Sequence, residues 1–85
     1  MKSMVLVRWS DAQDHADTWV DEKDATNFGE ADCTVQSVGF LISKTAKYVT
    51  IGSDWDEVDK NYGTVRKIPT TVVLSIEDVV VPAQT

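Results

Sequence analysis

The chain has 85 residues, 42% of them hydrophobic, and a formal net charge of −6, which bounds it to one small globular domain over residues 1–85. The acidic balance disfavours direct binding to nucleic-acid phosphates and to an anionic membrane surface. We expect neither a signal peptide nor a membrane helix, because no run approaches the roughly 20 apolar residues that a spanning helix needs. A single cysteine, Cys33, excludes an intrachain disulfide and fits a reducing cytoplasm.

Short β-branched runs broken by Gly, Pro, Asn and Asp predict strands rather than helices along most of the chain. Five strands are expected, over residues 4–9, 33–42, 48–51 and 64–68, with a last strand from residue 70 to about residue 78 or 81 and a short tail from Pro82. Gly39, inside the second strand, indicates a bulge or a sharp bend. Pro69 interrupts the ladder between the last two strands, because it has no N–H to donate.

A long polar loop, residues 10–32, separates the first two strands. Ser10 and Gln13 resemble a weak capping box, which predicts one short helical turn over residues 11–19. Three apolar residues are expected to anchor this loop to the sheet: Trp19, Val20 and Phe28. A second acidic stretch, "DWDEVDKNYG", is expected to be a loop that turns at Asn61 and Gly63.

A five-stranded sheet of this size must protect its edges, and partial closure into a barrel does so. The order of one strand, a long loop, a bent hairpin, a short strand, a proline corner and a last strand therefore predicts an all-β fold. The specific prediction is a small five-stranded SH3-like or Sm-like barrel. A small β-sandwich and an OB-like barrel are the alternatives.

The negative charge is concentrated between Asp11 and Asp32, where eight acidic residues and one lysine give −7, so the rest of the chain carries +1. Such a block favours fast, salt-sensitive association with a basic protein surface. Mimicry of DNA phosphates by carboxylates on one rigid face is a variant of the same idea. The predicted protein-binding residues are Asp11, Asp14, Asp17, Asp21, Glu22 and Asp24.

A smaller basic set lies on the predicted strands. Arg8, Arg66 and Lys67 could converge with an aromatic residue to hold a nucleotide at a subunit interface, because arginine pairs with phosphate and an aromatic ring stacks on a base. The candidates for stacking are Trp9, Trp55 and Tyr62. The alternative is that these are edge-strand charges that prevent sheet-to-sheet aggregation. Trp9, Trp19 and Phe40 are otherwise expected to be core residues.

Catalytic and metal-binding patterns are weak, so we expect neither an enzyme nor a cofactor. Three acids beside the single histidine, Asp11, Asp14, His15 and Asp17, could hold a divalent metal, and metal-assisted hydrolysis at Asp11, Asp14 and His15 is the least favoured function. A calcium-loop interpretation of residues 54–65 fails, because Val58, Asp59 and Val65 stand where an oxygen ligand, glycine and glutamate are needed. Cys33 and His15 lack an orienting third group for nucleophilic catalysis.

The motifs "VRWSDA", "VQSVGFLI", "YVTI" and "IPTTVVLSIEDV", with Trp19 after the first, resemble in their order a group of small bacteriophage and prophage proteins. The similarity covers residues 5–79. It implies a phage accessory protein that works in the host cytoplasm and inhibits a host process or an antiphage defence, and it supplies no catalytic residues.

Two functions therefore lead. The first is a non-enzymatic, homo-oligomeric phage protein that binds a host protein. The second is an oligomeric barrel that sequesters a small molecule such as a signalling nucleotide.

Overall fold

The computed structural model describes residues 2–81 and contains five antiparallel strands and one α-helix. The strands are β1 (Met4–Ser10), β2 (Thr34–Lys44), β3 (Tyr48–Asp56), β4 (Asn61–Pro69) and β5 (Val73–Val79). The helix, α1, spans Glu22–Glu30, and a 3-10 turn covers Thr70–Val72. The prediction of an all-β chain with five strands is confirmed. The expected tail from Pro82 lies outside the described residues.

The five strands form one sheet in the order β4-β3-β2-β1-β5, so β4 and β5 lie at opposite edges. Only the 3-10 turn separates the end of β4 from the start of β5. Four Cα–Cα steps from Pro69 to Val73 reach at most about 15 Å, whereas the edges of a flat five-stranded sheet are about 19 Å apart. The sheet must therefore curl until its two edges approach each other at Pro69. Within residues 2–81, β4 and β5 are not hydrogen-bonded to each other.

The core lies on the inner face of this curl and is small. Val5, Val7, Val49, Ile51 and Ile68 are buried, and they come from β1, β3 and β4. Their spacing of two residues places them on one face of the sheet, because successive side chains of a strand point to opposite faces. Burying these β-branched side chains contributes about 1.5–3 kcal/mol each and stabilises the curled sheet.

Gly39 lies where β2 changes partners. The first part of β2 pairs with β1 up to Phe40, and the remainder pairs with β3. A Cβ atom at Gly39 would lie 2.8 Å from the carbonyl oxygen of Gly52, closer than van der Waals contact allows. Glycine is therefore required here by the close approach of the β3 backbone, and the register shift follows between Leu41 and Ser43.

The β3–β4 hairpin is longer than predicted. The aspartates of residues 53–56 and the asparagine and glycine of residues 61–63 predict a loop, but these residues continue the two strands. Trp55 is paired with Tyr62 across the hairpin, with ring centroids 4.7 Å apart. A cross-strand aromatic pair stabilises a hairpin by about 0.5–1.5 kcal/mol beyond area burial, which outweighs the weak strand propensity of the neighbouring aspartates.

The turn of this hairpin is residues 57–60, so the prediction of a turn at Asn61 and Gly63 is wrong. Asp56 begins the turn by accepting hydrogen bonds on its carboxylate from the backbone N–H groups of Val58 and Asp59. Lys60 closes it in the left-handed conformation, with φ 57°. The aspartate supplies an Asx-type turn, a signal that the glycine and asparagine downstream conceal.

The loop after β1 contains a real helix, but not at the predicted place. Residues 11–19 are not helical, and α1 begins only at Glu22. Asp21 is its N-cap, and its carboxylate accepts a hydrogen bond of 2.8 Å from the N–H of Asp24. The acidic first turn adds a favourable interaction with the positive end of the helix dipole. The Ser10–Gln13 capping box is the weaker of the two start signals.

Candidate functional site

Residues 11–32 connect β1 to β2, and we call this segment the acidic arm. One backbone hydrogen bond joins its two ends next to the sheet. The N–H of Asp11 donates a 2.9 Å hydrogen bond to the carbonyl of Cys33, which closes the base of the arm. The six predicted protein-binding acids all lie on this excursion and are all exposed: Asp11, Asp14, Asp17, Asp21, Glu22 and Asp24. The structure therefore gathers them on one projecting element.

The arm has internal order of its own. The His15 ring contacts the Phe28 ring edge to face, with centroids 4.9 Å apart, which joins the non-helical segment to α1. The N–H of Asp17 donates to Nδ1 of His15 at 3.0 Å. These contacts, with the Asp21 cap, order the backbone of the arm around His15 and the start of α1. Because few residues of the arm are buried, we expect the arm to unfold locally more readily than the sheet.

Trp19 is the largest departure from the predicted anchors. Its side chain is 91% exposed, and Val20 beside it is 36% exposed, so neither ties the arm to the sheet. Phe28 is half-buried, but the ring that it packs against, His15, belongs to the arm itself, so this contact is not the expected anchor to the sheet. Trp9 packs against the core as predicted, and Phe40 is half-buried. Trp19 thus presents a large aromatic surface to solvent among acidic side chains.

The acids beside His15 do not form a metal cage. Within residues 2–81, no three His, Cys, Asp or Glu side chains are grouped closely enough to hold a metal ion. Nδ1 of His15 already accepts a hydrogen bond from the backbone of its own loop. Cys33 is half-buried at the base of the arm.

Part of the predicted basic set does come together. The indole N–H of Trp9 donates to Oγ of Ser37 at 3.0 Å, and Arg66 donates to the same oxygen at 3.4 Å. The guanidinium carbon of Arg66 lies 6.0 Å from the Trp9 ring centroid. A groove of about 200 Å³ lies beside them, lined by Ser37, Val38, Ile51, Ser53, Thr64 and Arg66. We call it the Arg66 groove.

Arg8 and Lys67 lie apart from this groove, so the predicted four-residue cluster is divided. Arg8 precedes Trp9, and Lys67 follows Arg66, and consecutive strand residues point to opposite faces. Lys67 instead places its ammonium 4.4 Å from the Tyr48 ring centroid. The alternative interpretation, an edge-strand charge, fits Lys67 on β4 but not Arg8, because β1 is paired with a strand on both sides. Arg66 and Trp9 have the geometry of a site.

Two wall residues of the Arg66 groove carry no sequence signal. Ser37 joins Trp9 to Arg66 through its hydroxyl. Thr64 is held at φ 49°, a left-handed conformation that costs a β-branched residue about 1–2 kcal/mol. Backbone strain of this type concentrates at functional sites. The shared hydroxyl depends on how β1, β2 and β4 are placed, and the strained dihedral on the local path of β4; a linear pattern reveals neither.

No helix among the described residues is long and apolar enough to cross a membrane. No protein-family model matches the chain, and no significant match was found among curated proteins or among solved structures. The resemblance to small phage proteins therefore stays a prediction, and function must be argued from the acidic arm and the Arg66 groove.

Proposed function

We propose that this chain is a non-enzymatic binding protein that engages a basic protein surface through its acidic arm. The observation that carries the proposal is Trp19, 91% exposed on an element with a formal charge of −7. An aromatic side chain left in water on an ordered acidic element has no role in the core of the sheet. It has the properties of an interface anchor, since tryptophan is enriched among the residues that dominate binding energy.

The carboxylates and the exposed Trp19 side chain would affect different steps of binding. The carboxylates attract and orient a basic partner, which raises the association rate and makes it depend on salt. Trp19 then buries about 150–250 Å² of surface, which slows dissociation. The hydrogen bond from Asp11 to Cys33 and the His15–Phe28 contact lower the ordering cost by holding the arm before it binds.

We further propose that the chain is a phage accessory protein and that the partner is a host protein met in the host cytoplasm. The motif resemblance over residues 5–79 supports the source, and the charge of the arm supports the partner's chemistry. A host protein that normally receives DNA phosphate offers such a basic surface, so mimicry of phosphate by the exposed carboxylates is one form of this proposal.

Neutralising the arm is expected to slow association about 10-fold at low salt. The test variant carries Asp14→Asn, Asp17→Asn and Asp24→Asn. A matched control carries Asp54→Asn, Glu57→Gln and Asp59→Asn, which remove the same charge from the β3–β4 hairpin. A host protein captured by the wild-type chain is purified, and its association rate with all three chains is measured at two salt concentrations. Equal slowing by both variants would assign the effect to net charge and contradict a role for the arm.

The second candidate function is capture of a small anionic aromatic ligand in the Arg66 groove. Arg66 and Trp9 meet at Ser37, which places a phosphate-pairing group beside an aromatic surface. A groove of about 200 Å³ holds only part of a nucleotide, so a second protomer would have to complete the site.

Replacing Arg66 with alanine is expected to abolish nucleotide binding without unfolding the chain, because Arg66 is exposed. Lys67→Ala is the matched control, since it removes the neighbouring charge from the opposite face. The Tm of the wild type and of both variants is measured with and without mono-, di- and cyclic nucleotides. Stabilisation that survives Arg66→Ala, or that Lys67→Ala removes equally, would exclude the Arg66 groove as the site.

We propose that the curled sheet is a partly closed barrel of the SH3-like or Sm-like type and that copies of the chain associate through its edges. The strand order and the three-residue corner after Pro69 support the barrel. Complementary charge supports association: Arg66 and Lys67 lie on one edge strand, Glu77 and Asp78 on the other. An edge-to-edge contact of this type joins two different surfaces, so it is heterologous. It forms a closed ring if the rotation between neighbouring copies returns to the first copy.

The apolar edge residue Leu74, 58% exposed on β5, offers the test of association. Leu74→Lys places a charge on the edge and is expected to give a monomer by analytical ultracentrifugation, while the wild-type chain sediments as an oligomer. Val58→Lys, a similar change at an exposed residue of the β3–β4 turn, serves as the control. A monomeric wild-type chain would contradict the proposal.

A further inference from the structure

A second aromatic cluster lies on the far part of the β3–β4 hairpin, outside the hydrophobic core. Trp55 and Tyr62 are cross-strand partners with ring centroids 4.7 Å apart and a 48° angle between their planes. Both side chains are half-buried. Gly52 leaves room for the Tyr62 ring, because a Cβ there would lie 3.0 Å from Cδ1 of the tyrosine. The two rings therefore pack on the sheet and remain partly exposed to solvent.

The open side of this cluster already holds a cation from elsewhere in the chain. The ammonium of Lys2 lies 4.2 Å from the Trp55 ring centroid and 5.2 Å from that of Tyr62. Both distances are within the range of a cation–π interaction. The surrounding cavity, about 490 Å³, is lined by Lys2, Phe40, Trp55, Glu57 and Lys60.

Lys2 is exposed, so its ammonium can leave the two rings and still be solvated by water. It precedes β1 and lies far from Trp55 in the sequence, so only the fold brings the two together. Electron-rich aromatic rings are the feature by which proteins recognise alkylated ammonium groups. Glu57 and Lys60, of opposite charge, line the same cavity. A cavity of this size accommodates a trimethylammonium group, which is larger than the ammonium now present.

We propose that Trp55, Tyr62 and Phe40 form a binding site for an alkylammonium group of another molecule, and that Lys2 occupies this site in the isolated chain. An incoming cation must displace Lys2, so the lysine lowers the apparent affinity for the ligand. The site is distinct from the acidic arm and from the Arg66 groove. It selects for a compact organic cation, whereas the arm selects for a basic surface.

The test is a titration of the full chain with tetramethylammonium chloride, followed by the NMR resonance of the Trp55 indole N–H. A saturable shift of this resonance is expected, and the exposed Trp19 indole serves as an internal reference. Neopentyl alcohol, a neutral probe of similar shape, should produce no saturable shift. Lys2→Met removes the competing charge and keeps the apolar stem, so it should tighten tetramethylammonium binding about 2- to 5-fold.

Trp55→Phe, which keeps an aromatic ring with a weaker quadrupole, should weaken binding without unfolding the hairpin. Equal affinity in the wild type and Lys2→Met, or equal shifts from the neutral probe, would overturn the proposal. Two peptides, Gly-Lys-Gly with plain or trimethylated lysine, separate the sources of the cation. Binding of either peptide at least as tight as that of tetramethylammonium supports a protein side chain as ligand, and weaker binding of both supports a small quaternary cation.

Discussion

Replacing Gly39 with alanine is expected to destabilise the fold by about 2 kcal/mol or more. The added Cβ would lie 2.8 Å from the carbonyl oxygen of Gly52 and 3.2 Å from Cβ of Ile51. Neither neighbour can move freely, since one is backbone and the other belongs to the buried core. The β3 backbone would have to retreat from β2, which opens the contact on which the curl of the sheet depends.

Gly29→Ala is the matched control, because it makes the same chemical change on exposed α1 with no atom within 4 Å of the new Cβ. There alanine is expected to favour the helix by about 0.5–1 kcal/mol. Thermal unfolding followed by circular dichroism measures both variants. For a domain of this size, a loss of about 2 kcal/mol lowers Tm by about 8–16 °C. If Gly39→Ala unfolds at the wild-type temperature, the close approach of β2 and β3 is not required for stability.

The strands that could be predicted are those in which local pattern and tertiary packing agree. The β-branched residues around Val5, Val49 and Ile68 alternate along short runs, and the structure buries them on one face. Pro69 likewise has a purely local effect, because it removes a backbone donor wherever it stands. Gly39 predicts an irregularity in the strand, but the sequence does not show which atom lies against it. That atom, the carbonyl oxygen of Gly52, is known only once the path of β3 is known.

The wrong predictions fall where charged residues occupy regular structure. The aspartates of residues 54–59 suggest a loop, yet Trp55 and Tyr62 pair across strands that extend through this region. In the acidic arm, Trp19 is expected to be buried because tryptophan usually is. Hydrophobicity describes the cost of exposing a side chain, not whether the fold provides a place to bury it. The arm's internal aromatic contact joins His15 to Phe28, and Trp19 stays in water.

The candidate site could be predicted by residue type but not by partner. Arg66 and Trp9 are candidates because guanidinium and indole groups suit anionic aromatic ligands, and the curl brings them to one hydroxyl. Arg8 and Lys67 are candidates for the same chemical reason, but strand alternation sends them to the other face. Strand register, rather than residue type, is therefore what separates the two pairs.

Replacing Trp19 with alanine is expected to weaken binding of the host partner about 30-fold, the effect of losing an interface residue worth about 2 kcal/mol. The loss should appear in the dissociation rate, because Trp19 supplies contact area, whereas the carboxylates of the arm act on the association rate. The fold should be unaffected, since the side chain is 91% exposed and belongs to no buried cluster among the described residues.

Val58→Ala is the matched control, because Val58 is also highly exposed, at 87%, but lies on the β3–β4 turn. Association and dissociation rates with the purified partner are measured for the wild type and for both variants, and thermal unfolding establishes that all three are folded. If Trp19→Ala dissociates at the wild-type rate, the acidic arm is not the contact element. If Trp19→Ala and Val58→Ala weaken binding equally, the partner contacts both elements and the arm alone does not define the interface. A fast dissociation confined to Trp19→Ala would instead tie recognition to the aromatic side chain that the fold leaves in water.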